Sequence, residues 1–412
     1  MSSVSQKLDE KIHDLAVETI TSEGCSSADS SDSLKRLRAL GTEPWVDTGD
    51  LEKARSVWKE EMGALTTNNT LANQVVQSGV MDDVILQTVK KLKDVGLSDD
   101  EQVAEIGFVI NCKIALRLVQ AFKVQVSVEL HPSLSRDIEK TLATARRYYR
   151  VCPKYFIIKI PLTPEGYLAV RQLRSEGLPV NFTLGFSARQ NYLAARLSNP
   201  TFLNVFLGRL NQVVAENKLG SGDGVGEKVT LATQQAMTEV RTQFAYVSTR
   251  LIAASIRGGK QVAFLAGVDV LTIPPAALEE YYIYAESGEE IISHIGENVT
   301  ANIDPEGAGR FASLWEVSDS FKQFVDALKA SPALDDMTGN QMRSFCRQQG
   351  IDLFHDFSAE DYRKITDKGK IPCLSDWPEQ VALDDLMTQS ALMSFTKDQN
   401  ALDERIRSFL HG

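Results

Sequence analysis

Tyr155-Phe156-Ile157-Ile158-Lys159-Ile160-Pro161-Leu162 reads as a β-strand with water on neither side. The run is too short for a typical helix. A half-buried strand alternates apolar and polar residues, whereas a strand that is apolar throughout is covered on both faces, as in a parallel sheet flanked by helices. Its one charged residue, Lys159, stands among isoleucines.

Seven further runs share this character: 45–47 (WVD), 64–67 (ALTT), 124–130 (VQVSVEL), 180–186 (VNFTLGF), 202–207 (FLNVFL), 250–256 (RLIAASI) and 268–273 (VDVLTI). Amphipathic stretches at 135–149, 164–176, 187–197 and 228–244 lie between them. The gap at 68–123 is long enough for more than one helix. Short buried strands alternating with helices predict an α/β fold, a (β/α)8 TIM barrel, with a doubly wound open sheet as the alternative. The barrel is expected over 41–290. Residues 1–40 read as a helical arm, partly flexible, broken by the polar stretch 26–33 (SSADSSDS). After 290 the alternation stops. A helical extension with two or three helical stretches is expected over 291–380, and 381–412 holds a last amphipathic helix, at 391–410, that packs back on the barrel.

Of the 412 residues, 43% are hydrophobic and 24% charged, ordinary for a globular protein. The net charge of -11 argues against non-specific binding to nucleic acid or to an anionic membrane. It leaves room for a small phosphate ligand held by a few local arginines. Five widely spaced cysteines with no CxxC pair read as reduced thiols, and the five histidines show no metal-ligand spacing. No apolar run approaches the roughly 20 residues of a membrane span, and the N-terminal MSSVSQKLDEKIHDL has no apolar signal core. The expectation is a cytoplasmic protein.

Barrel enzymes carry reactive groups at the C-terminal ends of their strands. There, burial would favour the neutral amine of Lys159, which can attack a carbonyl; the alternative is a lysine paired with a buried carboxylate or snorkelling from an edge. Glu129, in Val126-Ser127-Val128-Glu129-Leu130, is a second ionisable group in a β-branched run and suits proton transfer or a structural ion pair. Asp47 ends the first run as a candidate acid–base, or as turn chemistry before Thr48-Gly49. Asn68 follows the second run; Asn181 and Thr183 share a face of the fifth. These groups could hold a polyol and a water, or cap a helix and satisfy one another. Arg209 and Arg257 follow the sixth and seventh runs, with Ser255 and glycines beside the second. Together they could clamp an oxyanion, or form surface ion pairs. The glycine-rich 220–226 lacks the end of a P-loop and reads as a flexible loop over the site.

Taken in order, these segments resemble the transaldolase family. Val46-Asp47-Thr48-Gly49-Asp50, Thr66-Thr67-Asn68, Val126 to Ser135 (VSVELHPSLS), Ile158-Lys159-Ile160-Pro161, Asn181-Phe182-Thr183-Leu184, Phe206-Leu207-Gly208-Arg209, Ala254-Ser255-Ile256-Arg257 and 265–274 (LAGVDVLTIP) are each similar to a family motif. The resemblance implies that Lys159 forms a Schiff base with a ketose phosphate and that Glu129, Thr183 and a water move its protons. Asp47 would take the C4 hydroxyl proton as C3–C4 breaks. Asn68 and Asn181 would hold the dihydroxyacetone unit, and Arg209, Arg257 and Ser255 the phosphate. The resemblance also implies no cofactor or metal, sugar-phosphate partners, a homodimer and a place in the pentose phosphate pathway. Phe206 favours transfer over release of free dihydroxyacetone, because aldolase relatives carry tyrosine there. The sequence departs from the family pattern at Asn69, His131, Asn204, Gly185 and Arg189, and the 295–375 region is longer than the family suggests. These departures leave open a divergent aldolase or transferase on another phosphosugar, and a catalytically silent phosphosugar-binding protein.

Overall fold

A computed structural model describes residues 3–18 and 28–411, the backbone alone for 3–5. Cys25 and the start of the polar stretch, Ser26 and Ser27, lie outside the described residues. Eight parallel strands close into a barrel: β1 (Glu43–Asp47), β2 (Ala64–Thr66), β3 (Gln125–Glu129), β4 (Phe156–Pro161), β5 (Val180–Thr183), β6 (Phe202–Phe206), β7 (Arg250–Ala254) and β8 (Val270–Ile273). β8 pairs with β1, with Val46 opposite Ile273. This closure removes the free edges that an open sheet would leave. Every residue of β4, β5, β6 and β8 is buried, as expected for strands packed inside on side chains and outside on helices.

The two ends of the barrel differ. At the N-terminal ends, charges are paired for structure: Arg250 meets Glu43 at 2.8 Å, Arg241 meets Asp269 at 2.7 Å, and Trp45 Nε1 donates to Glu43 at 3.0 Å. The C-terminal ends carry the candidate site. Short side chains start the helices beyond them. Thr163 caps Pro164–Ser175 and Ser187 caps Ala188–Leu197, each accepting from a backbone N–H of the first turn.

The gap between β2 and β3 holds three helices, Asn69–Gln77, Asp82–Leu92 and Asp99–Phe122. The N-terminal helix Ser3–Val17 lies against Asp99–Phe122 and Ile138–Val151. Its Asp9 binds Arg147 at 2.8 Å and Arg150 at 2.8 Å, and Arg146 pairs with Glu176 at 2.6 Å, so the basic run 146–150 is spent on the fold. The described part of the polar stretch is tied down: both oxygens of Glu61 accept from Ser31 N, at 3.1 and 3.0 Å.

After β8 the chain forms Pro275–Glu286 and then four short helices, Pro305–Phe311, Asp319–Lys329, Gly339–Gln348 and Ala359–Lys368, more than the two or three expected. Several start on side-chain caps at Ser318, Thr338 and Ser358 rather than on long apolar periodicity. The last helix is Leu383–Leu410, eight residues longer at its start than the sequence pattern indicated. Residues 383–392 are all buried, so this first part has no solvent-exposed face, and its polar residues turn to partners inside the protein. Asp384 accepts from Arg189 Nε and Nη2 at 2.8 and 2.9 Å and from Ser187 Oγ at 2.7 Å. Among the described residues, no helix is long and apolar enough to cross a membrane.

Candidate active site

The C-terminal strand ends and the last helix enclose a cavity of about 360 Å³. β1, β4 and β5 send Asp47, Lys159 and Asn181 into its wall. Glu129, Lys159 and Asn181 stand in register on β3, β4 and β5. In-register neighbours of a parallel sheet project to the same side, so the register alone brings the first two together. Lys159 Nζ lies 3.1 Å from Glu129 Oε2 and donates to the Thr67 carbonyl at 3.0 Å. Both side chains are about 4% exposed. Burial raises the Glu129 carboxyl above the usual carboxylate range, with the Asp47 charge pushing the same way and Lys159 pulling it back. Such a carboxyl can receive a proton and return it.

Asp47 is half-buried and accepts from Thr66 Oγ1 at 2.6 Å; that hydroxyl lies 2.5 Å from Thr272 Oγ1. Burial raises its carboxyl too, against the lowering effects of Lys159, the Thr66 hydroxyl and Arg257. Asn181 Nδ2 donates to Ser127 Oγ at 3.0 Å, and Asn204 Nδ2 donates to Asn181 Oδ1 at 3.0 Å and to Thr183 Oγ1 at 3.2 Å. Thr183 is fully buried behind this amide and is not part of the cavity wall. Asn68 caps Asn69–Gln77, its side chain accepting from Leu71 N at 2.9 Å, and it also lines the cavity.

Arg209 enters from the first turn of Leu207–Glu216, beside the Phe206 and Phe395 rings, whose centroids lie 6.0 and 5.5 Å from its guanidinium. It is 7% exposed, and its buried Nη1 has no hydrogen-bond partner among the described residues. Burial, helped by the nearby charge of Arg257, pushes its guanidinium down to about 10. Arg257 is more exposed and is also lowered by burial, with Asp47 opposing. The loop after β7 approaches Gly208 so closely that a Cβ there would lie 2.2 Å from the Ser255 carbonyl and 2.8 Å from Arg257 Nε. Ser255 itself has φ of 67°, a left-handed conformation that strains a non-glycine residue.

All ten candidate residues thus gather at one end of the barrel, eight in the cavity wall and two, Glu129 and Thr183, behind it. The sequence reading missed Ser394, Phe395 and Asp398 of the last helix, and Lys370 of the extension. Ser394 and Asp398, four residues apart, lie on one face of the last helix, but nothing in the sequence says which surface that face meets. Asp398 accepts from Thr70 Oγ1.

Three of the departures serve this helix. Asn69 Nδ2 donates to Gln399 at 2.9 Å, a His131 ring nitrogen lies 3.1 Å from Asp403, and Arg189 binds Asp384. Gly185 permits the backbone of β6 to approach, since a Cβ there would lie 2.3 Å from the Asn204 carbonyl. The glycine-rich 220–226 is not a loop over the site. It pairs with the extension through Gly222 N to Asn302 O at 3.1 Å and Asn302 N to Asp223 O at 2.9 Å, and contributes nothing to the cavity wall. Among the described residues, no three His, Cys, Asp or Glu side chains converge to hold a metal ion.

The molecule is a (β/α)8 barrel whose strand ends bury a lysine–carboxylate pair near two arginines. The family model described as transaldolase/fructose-6-phosphate aldolase matches residues 44–331, and the chain belongs to that family. It is 29% identical to a transaldolase of Agrobacterium fabrum over 258 residues, 60% of this chain and 77% of that protein. It is 29% identical to a transaldolase of Kluyveromyces lactis over 290 residues, 68% and 80% of the two chains. A probable transaldolase of Nitrosopumilus maritimus is 30% identical over 209 residues, 48% and 85%.

Proposed function

We propose that this protein is a transaldolase acting in the pentose phosphate pathway of the cytoplasm. In this reading it transfers a dihydroxyacetone unit from sedoheptulose 7-phosphate or fructose 6-phosphate to an aldose phosphate. The observation that carries the reading is the buried Lys159–Glu129 pair, 3.1 Å apart, in a barrel whose cavity also receives Asp47. Lys159 gives up a proton to Glu129 and adds through Nζ to the C2 carbonyl. Glu129 returns the proton as the carbinolamine loses water, and the product is an imine. Asp47 takes the C4 hydroxyl proton, the C3–C4 bond breaks, and its electron pair moves into the imine to give an enamine. The aldose phosphate leaves. An acceptor aldehyde then enters and the steps run in reverse. Asn68 and Asn181 hold the three-carbon unit, Thr183 orders the Asn181–Asn204 amides behind it, and Arg209, Arg257 and Ser255 hold the phosphate. Phe206, apolar beside Arg209, supplies no hydroxyl to hydrolyse the enamine and so supports transfer rather than release.

Borohydride trapping tests this. Fructose 6-phosphate and borohydride are expected to leave a reduced adduct on Lys159, found by peptide mass spectrometry. Lys159→Ala should lose both the adduct and turnover, the latter by roughly four orders of magnitude or more. A folded protein that gives no adduct with fructose 6-phosphate or sedoheptulose 7-phosphate would favour another phosphosugar or a silent binding role.

A further inference from the structure

Besides Lys159, Arg209 and Arg257 the cavity receives one more cation, and it comes from outside the barrel. Lys370 lies just after the helix Ala359–Lys368, beyond the family-matched residues 44–331. We propose that Lys370 is a specificity-determining residue that joins Arg209 and Arg257 on the substrate's phosphate and makes the site select phosphorylated over unphosphorylated sugars. The identity of the substrate rests on the preceding reading; the anion site itself does not.

The extension holds Lys370 in place. Gly369, at φ of 83°, turns the chain out of the helix, a conformation that glycine adopts without strain. Ile371 is buried at 6% exposure. On the far side of Lys370, Asn217 grips the connection twice: its Nδ2 donates to the Pro372 carbonyl at 2.9 Å, and its Oδ1 accepts from Leu374 N at 2.7 Å. Arg310 Nη1 donates to the Leu374 carbonyl at 3.1 Å. Asn217 is the C-cap of Leu207–Glu216, the helix whose first turn, at its other end, carries Arg209, so the connection that bears Lys370 is fastened to the same helix as Arg209.

Charge supplies the second argument. The chain carries -11 overall, and most of its buried or half-buried arginines meet carboxylates. Among the described residues, buried Arg209 and exposed Arg257 and Lys370 meet none within 4.0 Å, and all three line one cavity. Arg209 Nη1, buried and unpartnered, is the most costly of these to leave so. Among the described residues, the wall holds two carboxylates, Asp47 and Asp398, and Asp398 accepts from Thr70 Oγ1. These three cations against two carboxylates leave an excess of about one positive charge, the Lys159–Glu129 pair adding none. A phosphate monoester near neutrality carries about -1.5 to -2. A lysine ammonium suits this third position, because it acts as a point charge and needs no planar partner geometry.

Inorganic phosphate is the probe, followed by phosphorus NMR or calorimetry at matched ionic strength on the full chain. Lys370→Met keeps the apolar stem and removes the charge. It is expected to weaken phosphate binding roughly five- to tenfold, with Lys370→Arg restoring most of it. In turnover, Lys370→Met should raise KM for fructose 6-phosphate more than it lowers kcat. It should also shrink the preference for glyceraldehyde 3-phosphate over glyceraldehyde by a similar factor. If Lys370→Met binds phosphate as tightly as the unaltered protein while Arg257→Ala does not, or if the unaltered protein binds none, the inference is overturned. Lys370-dependent phosphate binding in a protein that gives no borohydride adduct on Lys159 would instead overturn the imine reading and leave the anion site standing.

Discussion

Lys159, Glu129 and Asp47 are three ionisable groups in one barrel mouth, and their surroundings separate their tasks. Glu129 is sealed behind the wall against Lys159, while Asp47 reaches the cavity and is steadied by the Thr66 hydroxyl. Formation of the imine and cleavage of the carbon–carbon bond should therefore come apart on mutation. Asp47→Asn is expected to keep the borohydride adduct on Lys159 but to slow donor cleavage about 10²- to 10⁴-fold, measured by single-turnover release of the aldose phosphate. Loss of the adduct in a folded Asp47→Asn protein would show that Asp47 serves the imine step as well. Because burial raises the Asp47 carboxyl, the acid limb of the kcat profile should lie above the ordinary aspartate range and vanish in this variant.

Arg189 shows how an element is held where its own sequence gives little sign of it. Its guanidinium forks onto Asp384, which has no exposure, and also meets Asp352 at 2.6 Å, so one side chain fastens both the last helix and the extension to the barrel. Removing one partner of a buried pair strands the other charge. Arg189→Met is expected to cost about 3–5 kcal/mol, read as a lower urea midpoint in equilibrium unfolding. The double variant Arg189→Met, Asp384→Leu should recover much of that loss, since no charge is then left buried. A loss in the single variant within ~0.5 kcal/mol would mean that the pair contributes little to docking the helix.

Across the whole molecule, the extension and the last helix meet at Asp385, whose carboxylate accepts from His355 N at 2.7 Å and from Gln389 at 3.2 Å. Burial, with the Asp384 charge adding to it, pushes this carboxyl up to about 7, while His355 N, Gln389 and Arg343 oppose. The folded protein then binds a proton that the unfolded chain releases between about pH 4 and 7. Stability contributed here is full below that window, falls as pH rises through it, and is level above it. The change is on the order of a few kcal/mol. Asp385→Asn should flatten this slope in urea unfolding followed from pH 4.5 to 7.5, even though losing one acceptor lowers stability overall. A slope unchanged by the substitution would place the titrating group elsewhere.

The sequence alone determined the barrel and the strand ends that carry the candidate residues. Strands covered on both faces must be apolar throughout, so each of the eight runs, 155–162 most clearly, stood out from the amphipathic helices between them. A lysine or a glutamate in such a run is conspicuous because burying it is costly. The helical nature of the region after residue 290 was also legible. Tertiary structure alone decided how that region is used. The first ten residues of Leu383–Leu410 are buried all round, so the polar residues Asp384, Asp385 and Gln389 look like a loop until their partners on the barrel and extension are in place. Lys370 carried no local mark at all: an exposed lysine after a helix is common, and only the fold, with the Asn217 clamp beside it, brings it to the cavity that the arginines line. Local patterns record which surfaces a segment buries. They do not record which distant segment supplies the other side of a cavity.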